Sequence, residues 1–213
     1  MTMTELRVDV WADIVCPWCY VGEARLERAV EGVTDAQVQV VPHAFELAPG
    51  HFHPVKLVDS LAQKFGMSPE RAAEADAQIA GLAQAQGLPY TSDRMVANTF
   101  TAHRLIAAAN AAGCGLEVLR SIQRGHFSGE MDLGDDQAVV QAAIAGGLDA
   151  EVAREVAAGD AYAEDVRADE DQARQLGVTG VPFTVIGGRY AIPGAGEVEQ
   201  YAEGLRRALA DAS

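Results

Sequence analysis

Apolar and polar residues alternate along Leu6–Ile14, where Leu6, Val8, Val10 and Ala12 are set between Arg7, Asp9, Trp11 and Asp13. A period of two predicts a β-strand. At Pro17 the period changes. Tyr20, Ala24, Leu26, Ala29 and Val30 recur at helical spacing among Glu23, Arg25, Glu27 and Arg28, and Gly32 closes the helix. A second strand is predicted over Val38–Leu47, with Pro42 marking an edge position or a bend. The chain therefore begins β-α-β, which calls for a parallel pair joined by a right-handed crossover.

From about Pro54 to Gln175 the pattern is helical almost throughout. Helices are predicted at Asp59–Phe65, after Ser68-Pro69-Glu70, at Thr99–Ala112, Leu116–Gly125, Asp135–Ala145, Asp149–Ala157 and Tyr162–Leu176. Ser68 is a good cap, and Pro69 and Glu70 suit a first helical turn. Strand character returns at Pro182–Ile186; Gly187-Gly188 is a hairpin signal, Arg189–Ile192 the return strand, and Glu197–Ala210 an amphipathic closing helix. The whole reads as one α/β domain of β-α-β and β-β-α halves (residues 1–53 and 176–213) split by a large all-helical insertion (54–175).

Composition narrows the functional classes. With 49% hydrophobic residues the chain can bury a core, and 16 Lys and Arg against 31 Asp and Glu leave a formal charge of −15. That balance argues against a nucleic-acid binder, which needs a basic face, and against docking on anionic lipid. No stretch approaches the ~20 apolar residues that span a bilayer. Met1–Val15 lacks the basic start of a signal peptide, and Asp9 and Asp13 interrupt its apolar residues, so a cytoplasmic location is expected. Three cysteines are too few for a disulfide scaffold. In a reducing compartment a Cys-x-x-Cys pair is catalytic or metal-binding more often than structural.

Cys16-Pro17-Trp18-Cys19 sits where a strand gives way to a helix. A helix N-terminus carries unpaired N–H groups and roughly half a positive charge, which favours thiolate at Cys16. Thiolate is the attacking species in disulfide exchange. Cys19 lies one turn on, placed to resolve the mixed disulfide. The competing reading is half of a zinc site. Closed zinc sites need four ligands, and Cys114, His43, His51, His53, His103 and His126 supply no second knuckle of standard spacing. No metal and no other cofactor is therefore expected. A remote segment, Thr179-Gly180-Val181-Pro182-Phe183-Thr184, places a proline at a strand start.

Cys16-Pro17-Trp18-Cys19-Tyr20-Val21-Gly22 together with Thr179-Gly180-Val181-Pro182-Phe183 resembles the DsbA-like thioredoxin-fold family, and within it the FrnE-type branch. Phe45-Glu46-Leu47-Ala48-Pro49, Asn98-Thr99 with Ala102-His103-Arg104-Leu105, Phe127-Ser128-Gly129-Glu130 and Ile192-Pro193-Gly194-Ala195 extend the resemblance over nearly the whole chain. Relatives commonly continue Gly-Ala-Gln where this chain has Gly194-Ala195-Gly196, so no glutamine side chain is available there. The resemblance implies a thioredoxin-like fold with a helical insertion and a thiol–disulfide oxidoreductase or isomerase, with Cys16 attacking and Cys19 resolving. It implies a cis Val181–Pro182 bond facing the pair. Val181 and Pro182, with Pro17 and Trp18 between the cysteines, are the candidate substrate-binding residues, simple packing being the other reading of Trp18. Val181 would pair backbone to backbone with a substrate. The partners implied are disulfide- or thiol-containing proteins or peptides, with glutathione as a further candidate.

Strongly oxidising relatives often carry His at the position of Trp18. Tryptophan supplies no charge, so a less oxidising couple is expected, on a scale of about 30 mV per 1.4 kcal/mol. Asp13 is placed either to take a proton from Cys19 or to cap the helix. His103 is read as a capping or interhelical hydrogen-bond partner, Cys114 as a helix-end residue, His51 and His53 as loop residues, and Tyr20, Val21, Phe45 and Phe183 as core or groove wall. Two other functions fit parts of the pattern. One is a glutathione-dependent isomerase or transferase of the 2-hydroxychromene-2-carboxylate isomerase or kappa-class type, which resembles this fold but generally uses one serine or cysteine. The other is a non-enzymatic partner-binding or metal-holding module.

Overall fold

The computed structural model describes residues 4–50 and 53–212. Its elements are β1 (Thr4–Ala12), α1 (Pro17–Glu31), β2 (Ala36–Ala44), β3 (Val55–Lys56), α2 (Leu57–Phe65), α3 (Pro69–Ala85), β4 (Met95–Val96), α4 (Phe100–Ala112), α5 (Gly115–Ser128), α6 (Asp136–Ala145), α7 (Ala150–Ala158), α8 (Ala163–Gln175), β5 (Phe183–Ile186), β6 (Tyr190–Pro193) and α9 (Val198–Ala212). The main sheet has the order β2-β1-β5-β6. β1 pairs parallel with β2, in the register Val8↔Val40, and antiparallel with β5, in the register Val10↔Thr184; β5 and β6 form the Gly187-Gly188 hairpin. This is the thioredoxin-like α/β fold with a helical insertion between β2 and β5. Pro42 lies on an edge strand, as a residue without an N–H requires in a sheet.

Both faces of β1 are covered. Leu6, Val8, Val10 and Ala12 pack with Leu26 and Ala29 of α1 and with Tyr201, Leu205 and Ala208 of α9. On the opposite face Trp11 packs with Ala173 of α8 and with Val178. The residues spaced between the apolar positions are thus buried as well: Trp11 is 2% exposed and Asp13 fully buried. A separate core inside the insertion joins Leu105 and Ala109 of α4, Val118 and Ile122 of α5, Val139 of α6 and Val156 of α7. Ile14, at the end of the β1 segment, belongs to this second core and ties it to the sheet.

Local chemistry explains several helix ends. Ser68 accepts the Arg71 N–H, Asp135 the Gln137 N–H, and Asp149 the N–H groups of Glu151 and Val152, which satisfies donors that a first turn leaves free. Gly113 stops α4 at φ +82°, a conformation that a Cβ disfavours.

Three differences from the sequence pattern have physical reasons. β1 stops at Ala12 because the chain turns there, with the Cys16 N–H bonded to the Asp13 carbonyl at 3.3 Å. β2 stops at Ala44 because the Glu46 and Leu47 N–H groups go to the carboxylates of Glu170 and Asp13. The insertion is not helical throughout: β3 and β4 form a two-residue antiparallel ladder, Val55↔Val96 and Lys56↔Met95. Strands that short have no period to detect. His53 is an exposed loop residue, and the loop reading of His51 falls outside the described residues.

Candidate active site

The turn Asp13-Ile14-Val15 delivers Cys16 to the N-cap of α1, with φ −82° and ψ 110° and no side-chain cap. Pro17 takes the first helical position, where its missing N–H is not needed. The Cys16 carbonyl accepts the N–H groups of Cys19 at 3.0 Å and Tyr20 at 3.2 Å, which starts the helix and brings Cys19 one turn behind Cys16. Both cysteines are free thiols and both are buried, Cys16 at 4% and Cys19 at 1% exposure, whereas Trp18 between them is 43% exposed. Burial pushes the Cys19 thiol well above its ordinary range; the facing Cys16 sulfur raises it further, against a hydrogen bond from the Asp13 backbone.

The remote segment closes over this pair. The Val181–Pro182 bond is cis, and the Val181 carbonyl lies 3.6 Å from Cys16 Sγ, a contact the thiol donates. The Pro182 carbonyl accepts the Gly194 N–H at 2.8 Å, which holds the strand start to the turn after β6. Gly22 explains why the motif continues with glycine: a Cβ there would sit 3.2 Å from Pro182 Cγ and 3.2 Å from Ala195 Cα. Arg25, also on α1 and 6% exposed, donates to the Ala195 carbonyl at 3.2 Å and pairs with Glu197 at 3.0 Å. Helix α1 thus grips the Gly194–Glu197 turn with one glycine and one arginine. The structure therefore brings Cys16, Cys19, Pro17, Trp18, Val181 and Pro182 into one place, with Trp18 on the outside.

Beneath the pair lies a buried polar network. Asp13 does not cap α1. Its Oδ2 accepts the Leu47 N–H at 2.8 Å and its Oδ1 lies 3.3 Å from Nε2 of His103, a buried residue of α4. His103 is therefore an interhelical-type partner, reaching from α4 to the turn before α1. Asn98, just before α4, donates to Glu46 Oε1 at 3.2 Å and to the Gly50 carbonyl at 2.8 Å, and accepts the Phe100 N–H at 3.0 Å. Desolvation raises the Glu46 carboxyl, opposed by the neighbouring His103. Arg104 serves the insertion instead, donating to the carbonyls of Val156 and Gly159 at the end of α7, both at 2.6 Å.

The other singled-out residues are structural. Tyr20 stacks on Phe127 at 4.5 Å, and Phe127 stacks on Tyr90 at 5.4 Å. Phe45 and Phe183 pack around Trp11. Cys114 is the N-cap of α5, partly exposed. Among the described residues no three His, Cys, Asp or Glu side chains converge as metal ligands, and no helix is long and apolar enough to cross a membrane. Pattern reading overlooked Glu46, Asn98 and Arg25 as individual contacts. Glu46 and Asn98 stood only as unexplained polar residues inside family-like segments, and Arg25 as a polar position of the first helix.

Comparison with known proteins adds the following. The model of the DsbA-like thioredoxin domain matches residues 7–206. A probable DsbA oxidoreductase from Streptomyces coelicolor is 40% identical in sequence and superposes with a TM-score of 0.89 over 98% of this chain and 92% of its own. The cytosolic disulfide reductase DsbM from Pseudomonas aeruginosa, solved with glutathione, is 19% identical with a TM-score of 0.66 over 96% of this chain and 99% of its own. A 2-hydroxychromene-2-carboxylate isomerase shares the fold at 15% identity and a TM-score of 0.67, over 97% of this chain and 99% of its own. No curated protein matches the chain.

Proposed function

Since the chain belongs to the DsbA-like thioredoxin domain family, we propose that it exchanges disulfides with protein or peptide substrates through Cys16 as nucleophile and Cys19 as resolving thiol. The observation that carries this reading is the position of Cys16 at the start of α1, facing the Val181 carbonyl, with Cys19 buried one turn behind. Cys16 thiolate attacks a substrate disulfide; a Cys16–substrate S–S bond forms and the substrate's other sulfur leaves and takes a proton. Cys19 then loses its proton and attacks Cys16 Sγ. The Cys16–Cys19 bond forms, the second substrate thiolate leaves, and two electrons have passed to the substrate. Oxidation of a dithiol runs the same steps backwards.

Cys19 needs a base, because its thiol is held well above the ordinary range. The Asp13 carboxylate, next to His103, is the group we assign as that acceptor. Pro17, Trp18, Val181 and Pro182 form the proposed substrate wall, with the Val181 backbone pairing to an extended peptide. The FrnE-type branch and a cytoplasmic location belong to the same proposal. Their support is the set of matching motifs and the shared fold of a cytosolic disulfide reductase. Glutathione is proposed as a low-molecular-weight thiol partner on the same ground.

The test is a pair of variants. Cys16→Ser is expected to abolish insulin reduction, and Cys19→Ser to accumulate mixed disulfides. Full activity in Cys16→Ser would overturn the proposal. Turnover of a glutathione-dependent isomerisation that survives Cys19→Ser would move the assignment to the isomerase reading.

A further inference from the structure

The outer edge of β2 is closed over one half and open over the other. Backbone groups on a strand alternate between its two edges. The row facing β1 includes Phe45, whose N–H reaches the Ala12 carbonyl at 3.2 Å. The even-numbered residues therefore face away. Ala44 gives its N–H to Asp169 Oδ2 at 2.9 Å, and Pro42, which has no N–H, receives Asn110 Nδ2 on its carbonyl at 2.8 Å. Val40 and Val38 continue this outward row, and among the described residues their N–H and C=O groups have no partner on that side. Such an edge is a template for another strand, which is why proteins usually blunt it. Here Asn110, Asp169 and Pro42 blunt one half only.

The open half faces a groove of about 1230 Å³ between α1 and the α4–α5 junction, with Val30 on one wall and Leu116 on the other. Its charges are unevenly matched. Each cation that lines it is already paired: Arg7 with Asp9, Arg120 with Glu23 and Glu27, His43 with Asp9 and Asp169. Glu5, Glu31, Glu117 and Asp165 line the same groove, and among the described residues their carboxylates have no ion-pair or hydrogen-bond partner. We propose that the open half of the β2 edge binds an extended, basic peptide segment of another protein as an added strand, its backbone pairing with Val38 and Val40 and its cations with these four carboxylates. A second copy of this chain is the poorer occupant, because edge-to-edge pairing would set one acidic groove against another. This site is separate from the cysteine pair and does not depend on the redox assignment. Main-chain pairing supplies affinity, and alternate side chains supply preference for charge.

A fluorescein-labelled Val-Lys-Val-Lys-Val-Lys-Val peptide is the probe. The full chain should bind it and should bind the Val-Glu counterpart at least about tenfold more weakly. Raising salt from about 50 to 200 mM should weaken the Val-Lys complex, since the carboxylates lie at the surface. Val40→Pro removes one outward N–H without touching the β1 ladder and should weaken binding about tenfold or more. A second arm needs no altered protein. N-methylating alternate residues of the peptide should abolish binding in one parity and leave it in the other, since only one row of a strand faces the edge. Absence of binding, equal binding of the Val-Glu peptide, or indifference to both methylation parities would overturn the proposal. A chain that sediments as a dimer and becomes monomeric on Val40→Pro would assign the edge to a second copy instead, and so would also overturn it.

Discussion

On one face of β1, Leu6, Val8 and Val10 meet Leu26, Leu205 and Ala208. On the other, Asp9 and Trp11 meet His43 and Asp169, and just beyond the strand Asp13 meets His103. The first face is held by removal of apolar surface from water, which is non-directional and tolerates exchange of similar volumes. The second is held by specific partners whose charge depends on pH. His43 stacks on Trp11 at 4.7 Å and bridges Asp9 at 2.8 Å and Asp169 at 2.6 Å, joining β1, β2 and α8. In one molecule, then, the apolar face binds the two halves of the split domain together. The polar face fastens the insertion to the sheet and sets ionisable groups behind the cysteines.

The largest expected effect sits on the apolar face. Leu205→Ala, at a fully buried position, should cost about 2–5 kcal/mol in urea unfolding, with no change in its pH dependence. A loss below about 1 kcal/mol would show that α9 contributes little to holding the sheet.

The polar face should respond to pH instead. Two carboxylates raise the His43 ring from 6.5 to about 9 against its desolvation. The folded chain holds this proton more tightly than the unfolded one, so the stabilisation is complete below about pH 6.5 and is lost as pH rises through about 9. Its size is on the order of 3 kcal/mol. Thermal melts from pH 6 to 10 should show the fall in the parent and a shallower one in His43→Gln, where the buried Cys19 thiol still contributes at the alkaline end. Equal slopes would remove His43 as the fastening point.

Asp13→Asn keeps the size of the side chain and removes the proposed base. Release of substrate from a preformed Cys16 mixed disulfide should slow by roughly a hundredfold, the low end for a positioned general base. Raising the pH should restore part of the rate, because hydroxide then does the work. An unchanged rate in stopped-flow thiol release would leave Asp13 with only its contacts to Leu47 and His103.

Gly22→Ala tests the grip of α1 on the Pro182 turn. The added methyl lies 3.2 Å from Pro182 Cγ and from both Ala195 Cα and Cβ. Overpacking of this kind costs about 1–3 kcal/mol, and disulfide exchange should slow along with the loss of stability. The smallest effect is expected from Trp18→Ala, which should alter stability by less than about 0.5 kcal/mol because the side chain is half out of the protein. Its effect should appear in the KM for peptide substrates.

Most of the architecture was legible in the sequence because it is locally encoded. Alternation in Leu6–Ala12, the Ser68, Asp135 and Asp149 caps and the Gly187-Gly188 hairpin each act within a few residues. The cysteine pair was legible for the same reason: two thiols one turn apart at a strand-to-helix junction are a local pattern. The β3–β4 ladder was not legible, since its strands are two residues each and lie far apart in the chain, Val55 against Val96 in its register. Asp13 had two open readings in the sequence, and only the position of Leu47 and His103 decided against the cap.

The sequence by itself determined the order of the helices and of the four main-sheet strands, the split of the α/β domain, and the placement of Cys16 and Cys19 at the start of α1. Those features follow from periodicity, caps and spacing, which are short-range. The tertiary structure decided the rest: Val181 beside Cys16 across 165 positions, His103 beside Asp13 across 90, and a β2 edge closed at Pro42 but open at Val40. These depend on which chain segments the packed cores bring together, and no local pattern carries that information.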